Sequence, residues 1–266
     1  MTSNDIIVPR KDFEINHILD CGQIFRYEIN NSHSIVYSLD KKAILYNKSN
    51  DECVIECEDK EYFQNFFDLE CDYGEIKNKL MDLPFMKDAI KFGHGIRILR
   101  QDIFEMIISF IISANNNIPR IKGIINKLCI NGKFPSIDNL LEYTIDDLKK
   151  VGLGYRADYI YNTVRILKNN DINLNEVYNL DGNQANKYLT QNLKGVGPKV
   201  ADCILLFAYH KMDVFPVDTW IRKVYKDIFS DITSDKQMRT RLISTYKDLS
   251  GYAQQYLFYH KRELNK

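Results

Sequence analysis

The hydrophobic period of this sequence changes once, near Glu61, and that switch constrains the fold more than any other feature. Before it, residues 13–57 read as strands. Ser34-Ile35-Val36-Tyr37-Ser38-Leu39 is rich in β-formers, Asp40-Lys41-Lys42 makes a turn, and Ala43-Ile44-Leu45-Tyr46 and Cys53-Val54-Ile55-Glu56-Cys57 follow. Short apolar runs separated by polar breaks predict an antiparallel meander. After the switch, Tyr62, Phe63, Phe66 and Phe67 fall at helical spacing, and nearly everything beyond reads as helix. The most apolar helix is predicted over 102–114. There Phe104, Ile107, Ile108, Ile111 and Ile112 cover nearly all sides, the pattern of a core helix. Turn signals punctuate the rest: Asn131-Gly132, Gly152-Leu153-Gly154, Asp181-Gly182, Gly195-Val196-Gly197-Pro198 and Ser250-Gly251. The expected fold class is α+β. An N-terminal antiparallel β-sheet lobe with flanking helices, residues 1–93, precedes a mainly α-helical body, residues 94–266.

Charge follows the same division. The 266 residues carry 36 Lys+Arg and 36 Asp+Glu, a formal net charge of zero. Residues 1–93 hold 11 basic and 18 acidic side chains, a net of −7, and residues 94–266 hold 25 and 18, a net of +7. The zero is a cancellation. Such an asymmetry hints at an anionic partner for the basic part, and ordinary variation of surface charge explains it equally well. No run approaches the roughly 18 apolar residues a membrane span needs, and the start MTSNDIIVPRKDFE lacks the apolar stretch of a secretory signal. The six cysteines form no C-x-x-C pair and no iron–sulfur spacing. Free thiols in a reducing cytoplasm are expected.

The stretch that carries chemistry is Leu193-Lys194-Gly195-Val196-Gly197-Pro198-Lys199-Val200-Ala201-Asp202-Cys203. A helix should end near Asn192. Two glycines one residue apart permit a tight turn, and Pro198 suits the first turn of the next helix. Bare N–H groups at Gly195, Val196, Gly197 and Lys199 can hold a phosphate; an ordinary helix corner is the alternative. Lys199 sits in the first helical turn, where the macrodipole disfavours a cation. That placement predicts a lowered amine pKa, as a nucleophilic lysine requires. Nineteen residues on, Asp218 reads as the N-cap of a further helix. A helix and a short return bring it back toward Lys199. A lysine and a carboxylate beside a phosphate-gripping hairpin suit chemistry at a sugar carbon: the amine attacks, and the carboxylate stabilises the developing positive charge.

The block LKGVGPKVADC followed by VFPVDTW resembles the helix–hairpin–helix GPD DNA glycosylase superfamily. The chain as a whole resembles its 8-oxoguanine DNA glycosylase/abasic-site lyase branch, in a bacterial or archaeal form. Further blocks carry that likeness in order: Cys21-Gly22-Gln23-Ile24-Phe25-Arg26, Arg100-Gln101-Asp102, Ser113-Ala114-Asn115-Asn116-Asn117-Ile118-Pro119-Arg120, Gly152-Leu153-Gly154-Tyr155-Arg156-Ala157 and Gly251-Tyr252-Ala253-Gln254. The resemblance implies a bifunctional enzyme that excises 8-oxoguanine, preferably opposite C, and then nicks the strand by β-elimination. Lys199 would be the Schiff-base nucleophile and Asp218 the essential carboxylate. The lesion would be extruded from the duplex. The Gly22 carbonyl would accept from the N7–H that distinguishes it from guanine, Gln254 would read its Watson–Crick edge, Phe258 and Cys203 would sandwich it, and Pro216 would line the pocket. Asn115 would fill the gap, Arg120 and Arg156 would hold the estranged cytosine, and Tyr155 would wedge the stack. Backbone carbonyls of Gln191, Leu193 and Val196 would hold a structural Na or K ion.

The resemblance implies no catalytic cofactor and no iron–sulfur cluster. Its partner is double-stranded DNA containing 8-oxoguanine, bound by a monomer in a prokaryotic cytoplasm, at the nucleoid and not at a membrane. Trp220 departs from the pattern, standing where a phosphate-contacting His is common. Two alternatives remain: a glycosylase of the same superfamily for another damaged base, against which Lys199 speaks, and a non-catalytic helix–hairpin–helix DNA-binding module, which has no need of Asp218.

Overall fold

The computed structural model describes residues 5–231 and 233–265. Five strands form one antiparallel sheet: β1 (Ile6–Pro9), β2 (Tyr27–Ile29), β3 (Ser34–Ser38), β4 (Lys41–Asn47) and β5 (Glu52–Cys57), in the order β1-β5-β4-β3-β2. The expected meander is β3, β4 and β5, with Val36 opposite Ala43 and Leu45 opposite Ile55. One face of this sheet packs on Phe13, Phe63, Phe66 and Phe67 in a small separate core.

Two local expectations change. The chain between Phe13 and Phe25 is not strand. Ile15, Ile18 and Leu19, at helical spacing, bury one face of the short helix α1 (Ile15–Leu19). The edge strand β1 lies upstream of the stretch expected to form the sheet and pairs with β5.

The remaining helices are α2 (Lys60–Phe66), α3 (Tyr73–Met81), α4 (Met86–Phe92), α5 (Ile103–Ser113), α6 (Ile118–Leu128), α7 (Ile137–Leu141), α8 (Ile145–Val151), α9 (Arg156–Lys168), α10 (Gly182–Asn192), α11 (Pro198–Phe207), α12 (Thr219–Phe229), α13 (Asp235–Tyr246) and α14 (Ser250–Glu263). Side-chain caps explain many of their starts. Asp59, Asp72, Asp102, Asn117, Asp181, Asp218 and Ser234 each accept from a backbone N–H of the first turn. Ser250-Gly251 is not a turn but the opening of α14. The Ser250 hydroxyl donates to the Lys247 carbonyl at 2.5 Å, and the Gly251 N–H donates to the Met212 carbonyl at 2.9 Å. The Gly251 bond takes up an N–H group that a helix start otherwise leaves unpaired.

The expected helix over 102–114 is α5, buried along most of its length. The body's core forms around it and α11. Tyr73, Leu80, Met86 and Ile90 precede the expected division at Gly93 yet belong to this larger core, as do Cys21 and Phe25. The loop 20–26 therefore lies at the joint of sheet and body. Gln23 fastens it, its amide nitrogen donating to the Arg97 carbonyl at 2.8 Å and its amide oxygen accepting from the Leu99 N–H at 2.9 Å. Arg26 pairs with Glu105 on α5 at 3.1 Å, both buried, and donates to the Leu39 and Gly132 carbonyls. Removing one partner of such a pair costs about 3–5 kcal/mol, so the loop is firmly held.

Candidate active site

The hairpin forms as the Gly/Pro pattern requires. Helix α10 ends at Asn192, Leu193 turns extended, and Gly195 takes φ +77. A side chain at Gly195 would also collide with the Tyr159 ring, 2.6 Å from an added Cβ. Gly197 is different: its φ is −85 and nothing lies within 4 Å of an added Cβ. The free protein has no steric need of glycine there, so the bare backbone leaves room for something arriving from outside. Thr163 on α9 secures the loop by donating to the Lys194 carbonyl at 3.0 Å.

Pro198 starts α11, and Lys199 follows it. Asp218 caps α12, its Oδ1 accepting from the N–H groups of Trp220 at 3.0 Å and Ile221 at 2.9 Å. Both recorded bonds use Oδ1, leaving Oδ2 for the cavity. The Lys199 residue is half-exposed along its stem, but its amine sits deep, 5.7 Å from the centre of the Phe110 ring and one helical turn from Cys203. Lys199 and Asp218 line one cavity of about 160 Å³. Gly22, Cys203, Pro216, Gln254 and Phe258 line the same cavity, with Phe110 and Trp220. Six segments of chain thus meet there: the loop after α1, α5, the start of α6, α11, the approach to α12 with its first turn, and α14.

The electrostatics differ from the sequence expectation at one point. Burial acts to lower the Lys199 amine, but the Cys203 sulfur and the Asp218 carboxylate outweigh it, so the amine is held above its ordinary value. The helix-start argument pointed the other way because it counted the dipole and not these neighbours. Burial pushes the Cys203 thiol up to about 11, against the pull of the neighbouring Lys199 charge. Burial also raises Asp218, against the Ile221 N–H and the Lys199 charge that favour its ionised form.

A second group lies at the end of α5. Asn115 has φ +50 and is exposed, and its amide donates to the Tyr155 hydroxyl at 3.5 Å. Tyr155 is 51% exposed. Arg156 is buried beneath it, its guanidinium 4.5 Å from the centre of the Tyr155 ring. Its Nε donates to the Ala114 carbonyl at 2.8 Å, and its Nη2 to the Asn115 carbonyl at 2.9 Å. Arg120 is exposed, with one bond to the Gly152 carbonyl at 3.3 Å. The two arginines expected to act alike therefore sit differently: Arg120 faces outward and Arg156 braces the loop. Beside the hairpin, among α10, the start of α11 and α13, lies a groove of about 1010 Å³ whose lining includes Ala114, Gly195, Gly197, Lys199, Lys187 and Arg239.

Among the cavity residues that escaped the sequence reading, two are polar. Gln255 donates to the Cys21 carbonyl at 2.6 Å, and Arg262 donates to the Asp20 carbonyl, so α14 fixes the peptide groups just before Gly22. Arg262 stands four residues after Phe258, the same helical step that links Gln254 to Phe258, and that spacing was the available signal.

A hairpin between two helices, with a lysine and an aspartate converging on one cavity, defines a helix–hairpin–helix DNA glycosylase. Residues 108–247 match the HhH-GPD superfamily of base excision DNA repair proteins, and the chain belongs to it. Within the superfamily it falls in the 8-oxoguanine glycosylase/lyase branch: residues 5–107 match the 8-oxoguanine DNA glycosylase N-terminal domain. The enzyme is a DNA N-glycosylase/lyase. A probable N-glycosylase/DNA lyase of Methanothermobacter thermautotrophicus is 33% identical over 76% of this chain and 75% of that protein. The N-glycosylase/DNA lyase of Saccharomyces cerevisiae is 27% identical over 89% and 74%. The Clostridium acetobutylicum 8-oxoguanine glycosylase/lyase, solved with duplex DNA containing cytosine opposite 8-oxoguanine, superposes with a TM-score of 0.91 at 40% identity, covering 100% of this chain and 97% of that one. The 3-methyladenine glycosylase of Archaeoglobus fulgidus, at 17% identity and a TM-score of 0.77, shares the fold.

Proposed function

We propose that this enzyme removes 8-oxoguanine from duplex DNA, preferably opposite cytosine, through a Lys199 Schiff base, and then nicks the strand 3′ to the lesion. The observation that carries the reading is the convergence of Lys199 and Asp218 with Gly22, Gln254, Phe258, Cys203 and Pro216 on one cavity.

In this reading the flipped base enters between Phe258 and Cys203. Gly22 accepts from N7–H, and guanine, lacking that proton, leaves the buried carbonyl unpaired. The Lys199 amine sheds its proton and its lone pair attacks the sugar's anomeric carbon. The bond to the base breaks, with its electron pair leaving on the base. Asp218, fixed by two backbone donors, stabilises the positive charge on the sugar. Ring opening gives the lysine imine, whose electron-withdrawing carbon–nitrogen bond allows a neighbouring proton to leave and the 3′ phosphate to be expelled.

Gly195, Val196, Gly197 and Lys199 present backbone N–H groups to a phosphate next to the lesion. Asn115 and Tyr155 occupy the vacated stack. Arg120 donates to the acceptor edge of the orphaned cytosine, and Arg156 joins it by exchanging its bonds to Ala114 and Asn115. A monovalent cation on the carbonyls of Gln191, Leu193 and Val196 suits the negative end of the α10 dipole. The cation would add positive charge beside the phosphate. The enzyme is read as a monomer working on the nucleoid of a prokaryotic cell.

The test is borohydride trapping across duplexes with 8-oxoguanine opposite C, A, G and T. A covalent adduct, strongest with C and absent from the Lys199→Gln variant, is expected. Wild-type protein that forms no adduct while releasing the base would overturn the lysine mechanism.

A further inference from the structure

On α14, Gln254, Phe258 and Arg262 stand at i, i+4 and i+8 and all three line the lesion cavity. Arg262 is 5% exposed, an unusual burial for a guanidinium. Its Nη2 donates to the Asp20 carbonyl and its Nε donates to Glu263 at 2.9 Å. Its Nη1 is buried with no hydrogen-bond partner. That atom stands beside Gly22, 3.3 Å from where a Cβ on Gly22 would be. The guanidinium charge is met by Glu263, 2.8 Å from Nη2, and by Asp20 at 3.6 Å, but a buried N–H left without an acceptor is still costly. The geometry therefore suits a site that a ligand completes.

The helical spacing indicates which ligand atom completes it. Eight residues at about 1.5 Å each separate Gln254 from Arg262 along the helix by roughly 12 Å. The Phe258 ring lies between them, with the Arg262 guanidinium 5.5 Å from its centre. A purine stacked on Phe258 with its Watson–Crick edge toward Gln254 turns its opposite edge, the five-membered ring, toward Arg262. In 8-oxoguanine that edge carries O8, bonded to the carbon next to N7–H. Gly22 takes the N7 proton, and the group beside Gly22 faces O8.

We propose that Arg262 is a lesion-reading residue whose free Nη1–H donates to O8 of the flipped base. The proposal rests on the 8-oxoguanine reading given above. It makes recognition two-sided: Gly22 accepts the proton that oxidation adds, and Arg262 donates to the oxygen that oxidation adds. Guanine supplies neither, and would leave a buried acceptor and a buried cationic donor unpaired.

The experiment pairs a protein change with a single-atom change in the substrate. Single-turnover base release opposite cytosine is measured for 8-oxoguanine and for 8-thioguanine, in which sulfur, a weak acceptor, replaces O8 while N7–H is kept. Wild type should release 8-oxoguanine about tenfold faster or more. Arg262→Met should slow 8-oxoguanine release about 10- to 100-fold, the range for a lost charge-assisted bond, and bring the two substrates within about threefold. Arg262→Lys keeps the cation and can still reach the Asp20 carbonyl, so it serves if the Met variant does not fold; its ratio should fall as well. Equal slowing on both bases, with the wild-type ratio preserved, would show that Arg262 only props the Asp20 loop and would overturn the proposal. Equal rates on the two bases in wild type would overturn it without any variant. If wild type releases neither base, the substrate reading itself fails.

Discussion

The lesion cavity and the patch at Asn115 are built on opposite plans. In the cavity, Asp218 is fixed by two backbone donors and Lys199 is enclosed, facing that carboxylate. Gly22 is anchored through its neighbours by Gln255 and Arg262. At the patch, Asn115, Arg120 and Tyr155 are exposed and make long or single hydrogen bonds, and the buried Arg156 is committed to the protein's own carbonyls. Chemistry at a sugar carbon needs groups fixed in advance, because reorganising dipoles during the reaction raises the barrier. Reading an orphaned base needs groups that adapt once the duplex has opened. On the proposed reading, the first region would be ready before DNA arrives and the second would be completed by it.

The sharpest way to break this contrast is to remove the proposed nucleophile. Lys199→Gln should lower base release by about 10⁴-fold or more, since groups acting as one unit fail together, and should yield no trapped adduct. A variant retaining more than a hundredth of wild-type release would show that the cavity works without its lysine. Asp218→Asn should cost about 10² to 10³-fold in single-turnover release. Its melting temperature should stay near wild type, because Asn caps a helix nearly as well; a collapse in stability would instead make the aspartate chiefly structural.

The two arginines of the patch should separate by readout. Arg120→Ala should reduce the preference for C over A opposite the lesion by about tenfold, the worth of one charge-assisted bond, with an unchanged urea midpoint. Arg156→Ala should destabilise the DNA-free protein by about 1–3 kcal/mol, since it strips buried carbonyls of their donors. Similar stability in both variants would erase the distinction drawn here.

The pH dependence gives smaller effects of known sign. Because Cys203 and Asp218 hold the Lys199 amine above its ordinary value, release should keep rising through the alkaline range as the free base forms; a plateau already at pH 7 would contradict that upward shift. Asp68, outside both regions, supplies the stability counterpart. Burial opposes its charge, but His210, and Arg100 at 2.7 Å, hold its carboxyl below the usual value. A depressed folded value means stabilisation that is fully present above the unfolded carboxylate pKa of about 3.9. That stabilisation is lost as pH falls through the folded value. Asp68→Asn should therefore narrow the difference in unfolding free energy between pH 6 and pH 3 by roughly 1 kcal/mol, measured by urea melts.

What could be read in advance was what local chemistry dictates. The hairpin rests on Gly195 and Pro198, and the α12 cap on Asp218, all decided within a few residues. Gly22 and Gln254 came from the ordered blocks, and Phe258 from the helical step four residues beyond Gln254. Arg156 shows where sequence stops: its charge is visible, but that its donors turn inward to Ala114 and Asn115 depends on packing between α5 and α9. Arg262 was passed over because a basic residue near a helix C-terminus already has an ordinary explanation in the dipole. Lys199 was assigned the wrong direction because the dipole is written in the sequence and the facing carboxylate is not. Short elements were the least legible, since four or five apolar residues fit strand or helix equally, as α1 demonstrates.

Helix α9 joins the two regions in a way that amounts to a ruler. Its entry carries Tyr155, one turn on Tyr159 packs against Gly195, and the next turn carries Thr163, which holds the Lys194 carbonyl. Steps of four residues keep all three on one side, over roughly 12 Å of rise. In the proposed reading, the gap left by the flipped base and the phosphate beside it, both on the damaged strand, would be gauged by a single rigid rod. Inserting one residue between Arg156 and Tyr159 would turn the two marks about 100° apart, leaving each region intact but the duplex mismeasured.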